Sequence, residues 1–283
     1  MGGVSVTERL TRASGTNFYY AFLLLPAQKR RAIFALYSFC RVVDDCVDEE
    51  GGGGETGLAR WREEMHRAYA GQAETGLGRE LAEALARFPI PRACFEDILE
   101  GCRMDLTIRR YATFADLRRY AERVASAVGL ASIEIFGYKN PATRAYAEEL
   151  GLSLQLTNIL RDVGADAESG RVYVPLAEIA RFGTSEAAFL DAARGATPRP
   201  AAFDALLAFQ ADRARDRYAR ARALLPREDR RSMVSAEVMG AVYRELLETV
   251  VRRGFPLRER VRLSRPRKAW IAARTVGRTV LGL

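Results

Sequence analysis

Polar residues recur at helical spacing inside two otherwise apolar stretches. Between Gln155 and Asp166 the chain reads QLTNILRDVGAD, with Gln155, Asn158, Asp162 and Asp166 at intervals of three, four and four. That spacing predicts one shared face of an α-helix. Leu150, Leu152, Leu154, Leu156, Ile159, Leu160 and Val163 fill the other faces. A helix apolar nearly all round and polar along one stripe is expected to be buried, its stripe toward an internal cavity. Residues 33–49, IFALYSFCRVVDDCVDE, repeat the design: Tyr37, Arg41, Asp44 or Asp45, and Asp48 form the polar line. Unpaired buried carboxylates are costly, so a cavity lined by both stripes is expected to hold cations.

The donor types narrow the cation. Carboxylates plus the Asn158 carbonyl make an all-oxygen set suited to hard divalent ions. Mg²⁺ fits best, since it takes few carboxylates, keeps waters and bridges to phosphates. Arg41 and Arg161, beside these acids, are natural phosphate partners. Like charges four apart weaken an isolated helix by about 0.2–0.5 kcal/mol per pair. Acids retained in such pairs on apolar helices therefore point to use.

Helical periodicity continues along the chain. Helices are expected over about 27–49, 56–70, 77–87 and 92–110, and another after Thr113, which with Asp116 resembles a capping box. That helix carries Tyr120, Val124 and Gly129; its small residues Ala125, Ser126, Ala127 and Gly129 suit either an apolar ligand chain or close helix packing. Asn140-Pro141 starts the helix that leads to Asp166. A short helix follows Pro175, two long ones cover about 201–224 and 228–253, and an amphipathic one with Trp270, Val276 and Val280 ends the chain. No repeat and no strand pattern interrupts this, so the class is all-α. The expected organisation is one domain over 1–283, with a core at 14–267 and a basic amphipathic C-terminal helix at 268–283. Gly52, Gly54 and Gly57 match GxGxxG by accident, because they follow an acidic helix rather than a strand; a movable flap is the better reading.

Charge changes the picture only at one end. The net charge is +8, yet residues 252–283 hold ten basic residues and one acidic, or +9, leaving 34 basic against 35 acidic elsewhere. The tail is expected either as a solvated face, as a phosphate contact at the site mouth, or as a peripheral contact with anionic membrane. No aromatic stacking pattern accompanies it, which argues against nucleic acid. The start lacks a basic segment followed by an apolar run, and no apolar run nears the roughly 20 residues of a membrane span. A cytoplasmic protein, or one peripheral on the inner membrane face, is expected. Cys40, Cys46, Cys94 and Cys102 have no CxxC spacing and read as reduced. His66, the single histidine, is expected at the surface, which excludes histidine acid–base chemistry.

DDCVD at 44–48 and NILRDVGAD at 158–166 resemble the two aspartate-rich motifs of the squalene/phytoene synthases. SGTNFYYAFLLLP at 14–26, YSFCRVVDD at 37–45, YAERVASAVG at 120–129 and GRVYVP at 170–175 are similar to that family too, in its order. The resemblance implies a helical isoprenoid-synthase bundle with a central active-site cavity. It implies metal ligation by Asp44, Asp45, Asp48, Asn158, Asp162 and Asp166, with Mn²⁺ as an alternative to Mg²⁺. Tyr37, Arg41, Asp44, Asp48, Arg161, Asp162 and Tyr173 would be catalytic. Ser14, Phe18, Phe22, Tyr120, Val124, Gly129, Gln155, Arg171, Tyr243, Arg265 and Arg267 would bind substrate, with Lys268 a further donor.

The implied reaction joins two allylic diphosphates head to head. NILRDVGAD, GRVYVP and SRPRKAW look similar to the bacterial presqualene diphosphate synthases of hopanoid pathways. Two farnesyl diphosphates would then give presqualene diphosphate, and with NADPH squalene. Two geranylgeranyl diphosphates giving phytoene is the alternative, and a non-catalytic helical assembly protein is a third reading. The Arg-Asp after Asn-x-x and the final Asp of the second motif argue against a terpene cyclase. Enzymes downstream of the product are further expected partners.

Overall fold

The computed structural model describes residues 18–48, 53–196 and 198–281, together with Thr7 and Gly51. Ser14, with residues 15–17 of the resembling segment, and the side chain of Val280 lie outside the described residues. Among those residues regular structure is helical, and the single β-type contact is one parallel pair, Arg110 with Val172.

Helix α1 (Tyr19–Phe22) is one turn, closed off before Pro26. The Pro26 carbonyl accepts the Arg30 N–H at 2.9 Å, and α2 (Ala27–Asp48) then runs 22 residues without Gly or Pro. Its apolar face, including Ile33, Leu36, Phe39 and Val43, is buried against α3 (Gly54–Tyr69), α4 (Gly76–Leu85) and α5 (Arg92–Thr107). The buried Glu64 carboxylate ties α3 to α4, accepting the Thr75 N–H at 2.7 Å and its hydroxyl at 2.8 Å. His66 is half-buried rather than freely exposed, its Nε2 lying 2.8 Å from Glu96, which also takes Arg62.

The capping box forms as expected at the start of α6 (Phe114–Ala121): Asp116 accepts the Thr113 N–H at 3.0 Å, and Thr113 Oγ1 accepts the Asp116 N–H at 3.3 Å. Periodicity predicted one α-helix onward through Gly129. Instead a π-helical turn, Glu122–Ser126, separates α6 from α7 (Ala127–Phe136). Such a turn widens the helix locally. It lies where α8 (Thr143–Glu168) crosses: a Cβ on Gly151 would stand 2.7 Å from the Ala125 carbonyl oxygen, and one on Gly129 would stand 2.7 Å from that of Ala147. Small residues here allow this close packing, and Ala125 and Gly129 also line an apolar pocket.

Helix α8 is the hub. It packs on α6, the π-turn and α7 and, after the short α9 (Leu176–Arg181), on α10 (Glu186–Ala193), α11 (Ala201–Leu224) and α12 (Val234–Arg252). Its start is held by Asp229, which accepts the Lys139 and Asn140 N–H groups at 2.8 and 3.0 Å and the Thr143 hydroxyl at 2.6 Å. That pattern satisfies a buried carboxylate fully. The last helix, α13 (Arg265–Leu281), begins three residues earlier than expected and lies against α12 and α1, burying Ile271 and Ala272.

Candidate active site

The polar stripes of α2 and α8 meet across one cavity of about 660 Å³. From α2 come Tyr37, Arg41, Asp44 and Asp48; from α8 come Gln155, Asn158, Arg161, Asp162 and Asp166. Tyr120, Val124, Arg171, Tyr173 and Tyr243 complete the expected polar set. Asp45 stands apart. One residue on from Asp44, about 100° round the helix, it pairs with Arg41 Nη2 at 2.5 Å and does not line the cavity. Asp44 is the member of that pair which faces inward.

The acids differ in how far they are neutralised. Asp48 meets Arg171 at 3.0 Å, and Asp162 is gripped by Arg161 at 2.8 and 2.5 Å and touched by Arg260 at 3.1 Å. Asp44 and Asp166 are less well compensated. Burial, then the neighbouring Asp48, pushes Asp44 up to about 7 despite Arg41. Burial, then Asp162, pushes Asp166 up to about 7. A positive charge between the helices would reverse both shifts.

One atom tests the fit of a cation directly. Among the described residues Asn158 Oδ1 is buried with no hydrogen-bond partner, while its amide nitrogen donates to Gln155 at 3.4 Å. An orphaned carbonyl oxygen costs about 1–3 kcal/mol, and a hard cation would satisfy it. Among the described residues no three His, Cys, Asp or Glu side chains are gathered closely enough to cage an ion. The donor set thus suits an ion shared with a substrate's oxygens, which is how Mg²⁺ binds. Cys40 and Cys102 also line the cavity, but burial pushes the Cys40 thiol up to about 12 and that of Cys102 higher. Neither supplies a thiolate.

Several lining residues were not legible as site residues. Asp105, on α5, accepts hydrogen bonds from Tyr120 and Tyr173, both at 2.7 Å. The rings of Tyr111, Tyr120 and Tyr173 stack beside it with centroids 5.3–5.8 Å apart. Burial raises the Asp105 pKa, and the Tyr173 and Tyr120 hydroxyls pull against that. Its sequence signal was a lone carboxylate on a helix with an apolar face. Arg260, Arg262 and Lys268 form a cationic rim. Arg260 reaches Asp162, whereas no acid pairs with Arg262 or Lys268 among the described residues. Burial, with Arg262 and Arg265 nearby, lowers the Lys268 pKa.

Arg265 and Arg267, expected at the diphosphate, are placed on the outside. Arg267 pairs with Glu245 at 3.0 Å, and it is Lys268, one residue round the helix, that faces in. The rim is seated on α8 itself: a Cβ on Gly164 would lie 1.9 Å from the Leu257 carbonyl oxygen.

Beside the charged cavity is an apolar pocket of about 80 Å³. Phe18 and Tyr37 line both, so they form the partition. Phe22, Leu36, Gly129, Phe136 and Tyr146 belong to the apolar side. Phe18 stacks on Tyr243 at 5.2 Å, and Phe22 meets Phe34 edge-on at 6.0 Å. The arrangement offers anion-binding cations, cation-binding acids and a dry apolar compartment in immediate succession.

Residues 11–267 match the squalene/phytoene synthase family. The chain is 37% identical over 260 residues to a 15-cis-phytoene synthase of Synechococcus elongatus, covering 86% of this chain and 82% of that one. It is 35% identical over 250 residues to a presqualene diphosphate synthase of Rhodopseudomonas palustris, covering 86% of each. Among solved structures, a dehydrosqualene synthase in complex with ligand superposes with a TM-score of 0.85 at 27% identity, covering 96% of this chain and 94% of that one. The chain belongs to the squalene/phytoene synthase family, prenyltransferases that condense prenyl diphosphates head to head.

Proposed function

We propose that the protein joins two farnesyl diphosphates into presqualene diphosphate, releasing one diphosphate, with Mg²⁺ or in its place Mn²⁺. The observation that carries this is the succession in one cavity of acids, unpaired cations and an apolar pocket. Asp44, Asp48, Asn158, Asp162 and Asp166 would hold the metal, which when bound supplies positive charge to a leaving diphosphate. Arg41, Arg171, Arg262 and Lys268 would grip the same oxygens, and Tyr37 would add a donor. As the C1–O bond of one substrate breaks, the electron pair leaves with the diphosphate. The apolar wall keeps water from the allylic cation. The double bond of the second substrate attacks that cation, and loss of a proton closes the cyclopropane. The departing diphosphate would take that proton, or Tyr120 or Tyr173 would take it while passing its own to the Asp105 carboxylate to which it donates.

The 35% identity to a protein named presqualene diphosphate synthase supports this reading. The 37% identity to a protein named 15-cis-phytoene synthase favours a second reading, phytoene from two geranylgeranyl diphosphates. Labelled C15 and C20 diphosphates incubated with purified protein and Mg²⁺, with and without NADPH, separate them. A C30 cyclopropyl diphosphate that persists with NADPH is expected. Squalene formed only with NADPH would extend the reading, a C40 hydrocarbon would replace it, and no product from either would end it.

A further inference from the structure

Four large apolar side chains are conspicuously exposed among the described residues: Leu23 at 43%, Leu24 at 41%, Trp270 at 51% and Leu281 at 73%. They come from two distant parts of the chain that the fold brings together, because α13 packs against α1. Leu23 and Leu24 follow α1 directly, and Trp270 and Leu281 lie on α13. Scattered exposed leucines are ordinary, but exposed apolar groups on adjoining elements mark an interaction surface.

The charges around them identify the partner. On α13, Arg267, Trp270, Arg274, Arg278 and Leu281 follow at intervals of three, four, four and three, which is one helix face. Arg267 and Arg274 sit over the Trp270 ring at 5.0 and 5.3 Å. The other element continues from Leu24 into Lys29, Arg30 and Arg31. No acidic residue occurs anywhere in 18–43 or 260–283. An indole flanked by guanidinium groups, beside leucines and with no acid on either element, suits the headgroup boundary of an anionic bilayer. No described helix is long and apolar enough to cross a membrane, so the contact would be peripheral.

We infer that the α1 turn and the outer face of α13 together form a docking surface for an anionic phospholipid bilayer. The surface is set against the apolar pocket. Phe22, on the inner side of α1, lines that pocket, and Leu23, the next residue, is exposed. One helical turn separates the hydrocarbon compartment from the docking face. The C30 hydrocarbon part of the product would have only that partition to pass before entering lipid. This last step rests on the proposed condensation; the docking surface does not.

Co-sedimentation with vesicles of phosphatidylcholine, alone or mixed with phosphatidylglycerol, tests the surface. Wild type is expected to bind the anionic vesicles and to be released by salt. Leu23→Ser with Leu24→Ser is expected to lower binding at least about fivefold. Arg274→Gln with Arg278→Gln is expected to abolish the preference for anionic lipid. Failure of wild type to bind, or unchanged binding by both variants, would overturn the inference. So would a wild-type dimer in solution that these variants dissociate, since the face would then join two copies. Against misfolding of a variant, Trp61→Phe leaves Trp270 the sole reporter of the two tryptophans. Its emission should shift blue on anionic vesicles and be quenched by brominated lipid; neither change would also refute docking. Binding is read without substrate, so failure of the condensation reading leaves it standing, and the reverse holds.

Discussion

The charged cavity and the apolar pocket share Phe18 and Tyr37 yet are built on opposite principles. The pocket is nearly closed by its own side chains, and its rings pack on one another. The cavity is roomier and electrostatically unfinished: two carboxyls titrate near neutral pH, and among the described residues one amide oxygen lacks a donor and two cations lack acids. The difference teaches a division of labour. On the proposed reading, ionisation belongs to the unfinished side, which substrate and metal would complete, while the identity of the product belongs to the finished side.

The largest expected effect separates these roles. Asp48→Asn and Asp162→Asn should each lower product formation by on the order of 10³, as loss of charge stabilisation at a reacting centre does. Steady-state rates check this, and the product that remains should be unchanged in chain length. A changed chain length would dissolve the division.

Next comes pH. Asp44 and Asp166 must lose protons to bind a cation, so Mg²⁺ affinity should rise up to about a hundredfold between about pH 6 and 8. Calorimetric titration would show it, and Asp44→Asn should halve the logarithmic slope. Stability follows the opposite sign. Both acids have folded pKa values raised to about 7, so their contribution is full below the ordinary carboxylate range and is lost as pH rises through about 7. Added Mg²⁺ should therefore raise Tm more above that pH than below it.

On the finished side, Phe22→Ala should cost about 3–5 kcal/mol for a buried ring and admit a longer chain. Product analysis with mixed C15 and C20 diphosphates should show a severalfold shift toward longer product at a modest loss of rate. The smallest effect is expected of Arg260→Gln. That side chain is 58% exposed and shares Asp162 with the better-placed Arg161, so activity should fall less than about threefold.

Much of this was legible from spacing. Residues at intervals of three and four must share a helix face, so the stripes on α2 and α8 and their common cavity followed from sequence. Spacing could not decide between Asp44 and Asp45, because they lie three and four residues from Arg41 and both intervals suit one helix face. Nor could it reveal Asp105, whose role depends on two tyrosines 15 and 68 residues away. Arg265 and Arg267 are expected at the diphosphate from the resemblance and the charge of the tail, with no spacing to say which way they face. Once α13 begins at Arg265, the helical turn directs Lys268 inward and leaves them outside. The π-turn left no periodic trace, since an extra residue per turn looks like ordinary drift over so short a span.

Gly164 stands between Asp162 and Asp166, with the Leu257 carbonyl where its side chain would be. The loop bearing Arg260 and Arg262 therefore touches the acidic helix backbone to backbone, with no side chain as spacer. How far the positive rim reaches over the negative floor is in effect gauged by a missing methyl group. An alanine there would act as a shim, lifting Arg260 and Arg262 together while leaving every charged residue in the sequence. Such a substitution would detune the site as a whole without altering any group that touches the substrate.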